Sequence, residues 1–215
     1  FERIWRNMLD RTGGPMTFRF FLQPTPTKPV SLRKGGLAQT SLWFEEWSDH
    51  EGYPDLKKMP EVKRRAEEAH AQGKPFLLYF NSMLAEDSPE FAEFREEFLV
   101  PPGHMWYKRA YDPGRDVPCW LCCVRGPYGD LLLDGMRRFA REGGLDGVYM
   151  DGTSVPWDCT NPAHAPCAEP IVPSWNEDAV TPLVATRDFL KRVRGVFSEG
   201  KRPWMFAHTG GAIGI

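Results

Sequence analysis

Asp151 is the residue in this chain best placed by its neighbours to do chemistry. It closes the run Gly143-Gly144-Leu145-Asp146-Gly147-Val148-Tyr149-Met150-Asp151-Gly152-Thr153. Two glycines suit a helix stop, because glycine accepts the left-handed conformation just past a last turn. Val148, Tyr149 and Met150 are an apolar run short enough for a strand buried on both faces. Side chains alternate along a strand. Gly147, Tyr149 and Asp151 therefore share one face, and Val148 and Met150 the other. Asp146 falls on the opposite face, roughly 16 Å from Asp151 at ~3.3 Å per residue, so the two acids do not form a pair. Asp146 is read as a turn residue entering the strand. Asp151 leaves at the carboxyl end, where parallel α/β folds keep their chemistry. The competing reading of Asp151 is a turn aspartate holding the loop that follows.

Carboxylate chemistry suits this sequence better than the alternatives. It has no Gly-x-Ser-x-Gly nucleophile elbow and no glycine-rich phosphate loop after a strand. Glycoside cleavage needs an acid to protonate the leaving oxygen and a second group to stabilise or attack the anomeric carbon. Asp151 supplies one of them. Asp158, Glu169, Glu177 and Asp178 on the following loop are candidates for the other. The segment from Cys159 to Cys167 contains His164. It leaves three readings open: a Cys159–Cys167 disulfide, free thiols, or a metal held by Cys159, His164 and Cys167. Neither a metal nor a cofactor is assigned to the site around Asp151.

Strand-like and helix-like stretches alternate along the chain. Thr17–Leu22, residues 40–44, residues 74–81, Cys119–Val124, Val148–Met150 and Trp204–His208 read as strands. Helical stripes lie between them: Met59, Val62, Ala66 and Ala69, stopped by Gly73; Phe91, Phe94 and Phe98, preceded by Ser88-Pro89 as cap and first turn; Leu132, Met136 and Phe139; and Leu183, Leu190, Val193 and Phe197. Residues 99–117 read as an irregular loop. The alternation predicts an α/β fold with a parallel sheet in the style of a (β/α)₈ TIM barrel. A full barrel typically needs about 250 residues, and this chain has 215. The expectation is one domain over 1–215, an incomplete barrel cut from a longer protein, with 1–15 as a lead-in. Polar residues end the strands at Gln23, Asn81, Arg125, Asp151 and His208, and a barrel would bring them to one rim. Lys28, Tyr149 and Trp157 complete the expected substrate-binding set of Lys28, Asn81, Arg125, Tyr149, Trp157 and His208.

Composition narrows the partners. A formal net charge of −2 offers no electrostatic case for nucleic acid or an anionic membrane. No apolar run approaches the ~20 residues needed to span a bilayer. Apolar residues make up 41% of the chain, enough for a core, and eight tryptophans supply flat surfaces on which sugar rings can stack.

Four motifs carry a resemblance. Gln-Pro-Thr-Pro-Thr-Lys-Pro at 23–29, Leu-Asp-Gly-Val-Tyr-Met-Asp-Gly-Thr at 145–153, Cys-x-Asn-x-x-His at 159–164 and Thr-Arg-Asp-Phe-Leu-Lys-Arg at 186–192 resemble the barrel of bacterial proteins related to glycoside hydrolase family 123. The resemblance covers roughly residues 16–29 and 119–209. It implies a carbohydrate-active (β/α)₈ barrel beside β-sandwich domains in a secreted or periplasmic protein. Family 123 enzymes use an adjacent Asp-Glu pair with the substrate's N-acetyl group. This chain has no Asp-Glu dipeptide, so neither that mechanism nor that sugar carries over. The expected activity is an O-glycosyl hydrolase with Asp151 as its carboxylate. The alternatives are a non-catalytic carbohydrate-binding barrel and a metal-dependent hydrolase.

Overall fold

The computed structural model describes residues 39–100, 105–108, 117–151, 159, 161–167, 183–198 and 203–208. Four strands form a parallel sheet: β1 (Ser41–Trp43), β2 (Phe76–Phe80), β6 (Gly147–Asp151) and β7 (Trp204–His208). Their spatial order repeats their chain order, and each neighbouring pair is parallel. A doubly wound sheet reverses direction at a switch point. No reversal occurs among the described strands, so the sheet is singly wound, as an arc of a β/α barrel is. The expected α/β class with a parallel sheet is what the structure has.

The strands form where the apolar runs are. β2 is buried at all five positions, as the strands of a sheet covered on both sides must be. Gly147 is paired with Trp204 across β6 and β7. A Cβ there would lie 1.8 Å from the Trp204 carbonyl oxygen, so only glycine lets the two backbones approach.

The helices follow the stripes. α1 (Met59–Ala71) has proline in its first turn and buries Val62, Ala66 and Ala69. The chain then turns at Gly73 with φ +69°, the left-handed conformation that glycine tolerates. α2 (Phe91–Phe98) buries Phe91 and Phe98. It starts two residues later than the Ser88-Pro89 signal suggested: Ser88 instead accepts the Phe91 N–H on its carbonyl in the preceding turn. α3 (Pro127–Glu142) buries Leu132, Met136 and Phe139. α4 (Leu183–Val196) contributes Phe189, Leu190 and Val193. α1 packs on α3, and α3 on α4, a row of neighbouring helices against one sheet. Trp47 is fully buried, edge-on to Phe80 of β2 and Phe139 of α3, and its indole N–H donates to the Tyr79 carbonyl. A fully buried aromatic of this kind contributes about 1.5–3 kcal/mol.

One expectation is corrected. Cys119–Val124 is not a strand of the parallel sheet. β3 (Met83–Ala85), β4 (Met105–Lys108) and β5 (Pro118–Leu121) form a separate antiparallel sheet in the order β3-β5-β4. Residues 99–117, read as irregular, thus contain β4. Hydrophobic content alone does not distinguish a barrel strand from a strand of an inserted sheet, because both bury their side chains. Thr17–Leu22 lies outside the described residues.

Candidate functional site

The parallel register sets Tyr79 of β2 beside Tyr149 of β6. Their rings stack with centroids 5.7 Å apart. Asp151, two residues beyond Tyr149, shares its face. The Tyr79 hydroxyl donates to Asp151 Oδ2 at 3.0 Å. Asp151 is half-buried at the carboxyl end of its strand.

A second carboxylate, Glu45, stands near these groups on the turn after β1. β1 ends at Trp43, and a single 3₁₀ turn, Glu45–Trp47, follows. Trp47 anchors that turn in the core. Phe44, 40% exposed, lays its ring 4.6 Å from Tyr79 and 5.8 Å from Tyr149. Glu45, next along, is half-buried. Its carboxyl is pushed above the ordinary range by burial first; the charges of Asp151 and Glu46 push the same way, and a hydrogen bond with Tyr79 opposes them. Burial, followed by the charges of Asp151 and Glu45, also raises the Tyr149 phenol and keeps it protonated.

Below these groups lies a buried brace. Asn81 follows β2, is 2% exposed, and accepts the Met83 N–H on its amide oxygen. Its amide nitrogen donates to Glu51 Oε1 at 2.7 Å and lies 3.5 Å from the Tyr79 hydroxyl. Glu51 is itself buried and stands at φ +63°, a conformation uncommon outside glycine that clusters at functional sites. The chain Glu51–Asn81–Tyr79–Asp151 fixes where the Tyr79 hydroxyl stands.

The expected residues divide accordingly. Asp151 and Tyr149 stand together at the sheet's carboxyl end. Asn81 is buried, with its amide engaged by Glu51 and Met83. Arg125 lies in the turn beyond β5 of the antiparallel sheet, and its Nε donates to Cys123 Sγ at 3.0 Å. His208 ends β7 directly opposite Asp151 in register. Lys28, Trp157, Gln23, Asp158, Glu169, Glu177 and Asp178 lie outside the described residues. Asp146 is the turn residue expected. It accepts the Phe76 N–H at 2.9 Å and pairs with His70. Glu45 and Glu51 were missed. Their stretch reads as a polar loop, and nothing local marks which of its acids turns toward β6.

The Cys159 segment has different partners from those expected. Cys159 is a free, buried thiol, so the Cys159–Cys167 disulfide is not formed. Cys159 Sγ lies 3.1 Å from His164 Nδ1, and His164 Nε2 donates to the Glu97 carbonyl. The third member of the cluster among the described residues is Cys123. The Cys159 thiol is raised well above its usual range, by its hydrogen bond with Cys123 first and burial second. Burial pulls His164 down, but Cys123 and the Glu97 carbonyl outweigh it and leave the imidazole raised. Asn161 donates to the Glu96 and Leu99 carbonyls. Together Asn161 and His164 satisfy carbonyls at the end of α2 that the helix leaves without internal partners.

No protein-family model matches the chain, and no curated protein matches it. Solved glycosidase structures do. An α-galactosidase from Thermus thermophilus in complex with stachyose is 15% identical at a TM-score of 0.44, over 71% of this chain and 29% of that one. A GH31 family sulfoquinovosidase from E. rectale is 15% identical at 0.47, over 80% and 26%. A GH36 α-galactosidase from Geobacillus stearothermophilus is 13% identical at 0.47, over 81% and 24%. The chain thus spans less than a third of the length of each of these three proteins.

Proposed function

We propose that this chain carries the carboxylate site of a glycoside hydrolase, with Asp151 and Glu45 as its working pair. The observation that supports the reading is Asp151 on the Tyr79 hydroxyl at the carboxyl end of β6, with the half-buried Glu45 carboxyl near enough to feel the Asp151 charge. Glycosidase pairs stand about 5–9.5 Å apart, the spacing this reading requires of Asp151 and Glu45. The Tyr79 hydroxyl donates to Asp151, which is held as an acceptor, while burial biases Glu45 toward its protonated form. Glu45 is then the acid that protonates the leaving oxygen, and Asp151 the carboxylate that faces the developing positive charge or activates water. The exposed Phe44 ring beside them offers an apolar face on which a sugar can stack.

Tyr149, Lys28, Trp157 and His208 are proposed contacts to sugar hydroxyls. The motif resemblance supports the relation to the family 123 group, export from a bacterial cytoplasm and neighbouring β-sandwich domains. The test is hydrolysis of an aryl-glycoside panel by the protein and by its Asp151→Asn and Glu45→Gln variants, with folding checked by circular dichroism. Turnover lost in both folded variants supports the pair. Turnover that survives both overturns it, and sugar binding with no turnover by the parent favours a binding barrel.

A further inference from the structure

Cys123, Cys159 and His164 come from three separate places in the chain. Cys123 follows β5, where its N–H donates to the Phe98 carbonyl. Cys159 lies beyond β6, and His164 sits in the 3₁₀ segment Pro162–Cys167. All three are buried, and one sulfur or nitrogen from each lies within 4.8 Å of the others. Tetrahedral zinc, with bonds of about 2.3 Å to sulfur and about 2.0 Å to nitrogen, spaces its ligands roughly 3.5–3.8 Å apart. The 3.1 Å Cys159–His164 contact has to open by a few tenths of an ångström to reach that spacing, and the remaining pairs lie within 4.8 Å.

The histidine is oriented for the task. A carbonyl can only accept, so the Nε2 facing the Glu97 carbonyl carries a proton whatever the charge on the ring. Nδ1 is then the atom offered to the sulfurs. Metal-binding histidines are commonly fixed in this way, with the second nitrogen donating to a carbonyl or carboxylate. Gly126 makes room for the ring: a Cβ there would lie 2.4 Å from His164 Cδ2. The Arg125 N–H on Cys123 Sγ is a bond that a metal-bound thiolate also accepts. Two sulfurs and an imidazole select a soft ion, not calcium or magnesium.

We propose that Cys123, Cys159 and His164 bind a thiophilic divalent cation of the zinc class. The ion ties the segment after β6 to the end of β5 and to the carboxyl end of α2. Its burial makes it structural. The fourth position is one that water can take. The proposal stands independently of the glycosidase reading.

The test is metal analysis of the protein purified under reducing conditions, followed by cobalt(II) substitution. About one equivalent of zinc per chain is expected, with an intense sulfur-to-cobalt charge-transfer band after exchange. Both are lost in the Cys123→Ser/Cys159→Ser double variant and kept in Asp151→Asn. Zinc retained equally by the double variant overturns the proposal. Should the double variant not fold, the wild-type protein decides alone: no charge-transfer band with cobalt(II), and no rise in melting temperature when zinc is added to chelator-treated protein, overturn it.

Discussion

Tyr79 and Asp151 come from strands separated by more than sixty residues, yet the tyrosine hydroxyl stands 3.0 Å from the Asp151 carboxylate. Glu45, on the turn after β1, also feels Tyr79, which makes Tyr79 the residue common to both acids of the proposed pair. Tyr79→Phe removes the hydroxyl that opposes the rise of Glu45, so the Glu45 carboxyl rises further and the high-pH limb of the activity profile moves to higher pH. Loss of one net hydrogen bond costs about 0.5–1.5 kcal/mol of stability. Rate against pH on one substrate, together with urea unfolding, checks both expectations.

Glu45→Gln is expected to lower turnover about 10²–10⁴-fold on substrates with poor leaving groups. On a dinitrophenyl glycoside, whose leaving group departs without a proton, the loss should be much smaller. Asp151→Asn should be damaging on both. Equal losses on both substrates in Glu45→Gln would remove its role as the acid.

The same residue sets a pH dependence of stability. Glu45 is raised in the folded state, so folded protein holds that proton more tightly than unfolded protein. The contribution is fully present below the unfolded carboxyl range. It is lost as pH rises through the folded value, because unfolding then releases a proton. Parent and Glu45→Gln melting temperatures compared across the mildly acidic range should diverge in slope. The parent falls with rising pH relative to the variant, whose amide does not titrate.

Asn161→Ala leaves the Glu96 and Leu99 carbonyls without their side-chain donor. Exposing or stranding these groups should cost about 1–3 kcal/mol. Hydrogen exchange should rise at the end of α2 and along residues 161–167 before the parallel sheet is affected.

Gly147→Ala should destabilise the sheet by about 1–3 kcal/mol or more, since its Cβ meets Trp204 backbone, which has no flexible end to move aside. Gly195→Ala is the matched control. A Cβ there meets nothing within 4 Å, and alanine in place of a helical glycine stabilises by about 0.5–1 kcal/mol. Chemical denaturation of both variants against the parent separates the two signs.

What could be read from the amino acids alone was whatever depends on neighbours in the chain. The stripes of α1 and α3, the turn at Gly73, the β6 run and the emergence of Asp151 at its end all follow from local periodicity and glycine chemistry. So does the role of Asp146 at the strand's entrance. Tertiary structure decided the pairings. The turn that carries Glu45 stands beside Tyr79 because β1 pairs with β2 and because buried Trp47 pins that turn. Cys159 meets Cys123, not Cys167, because β5 leaves the main sheet and ends beside α2. Those facts depend on which strands become neighbours across long intervening segments, and no spacing within a single stretch encodes them.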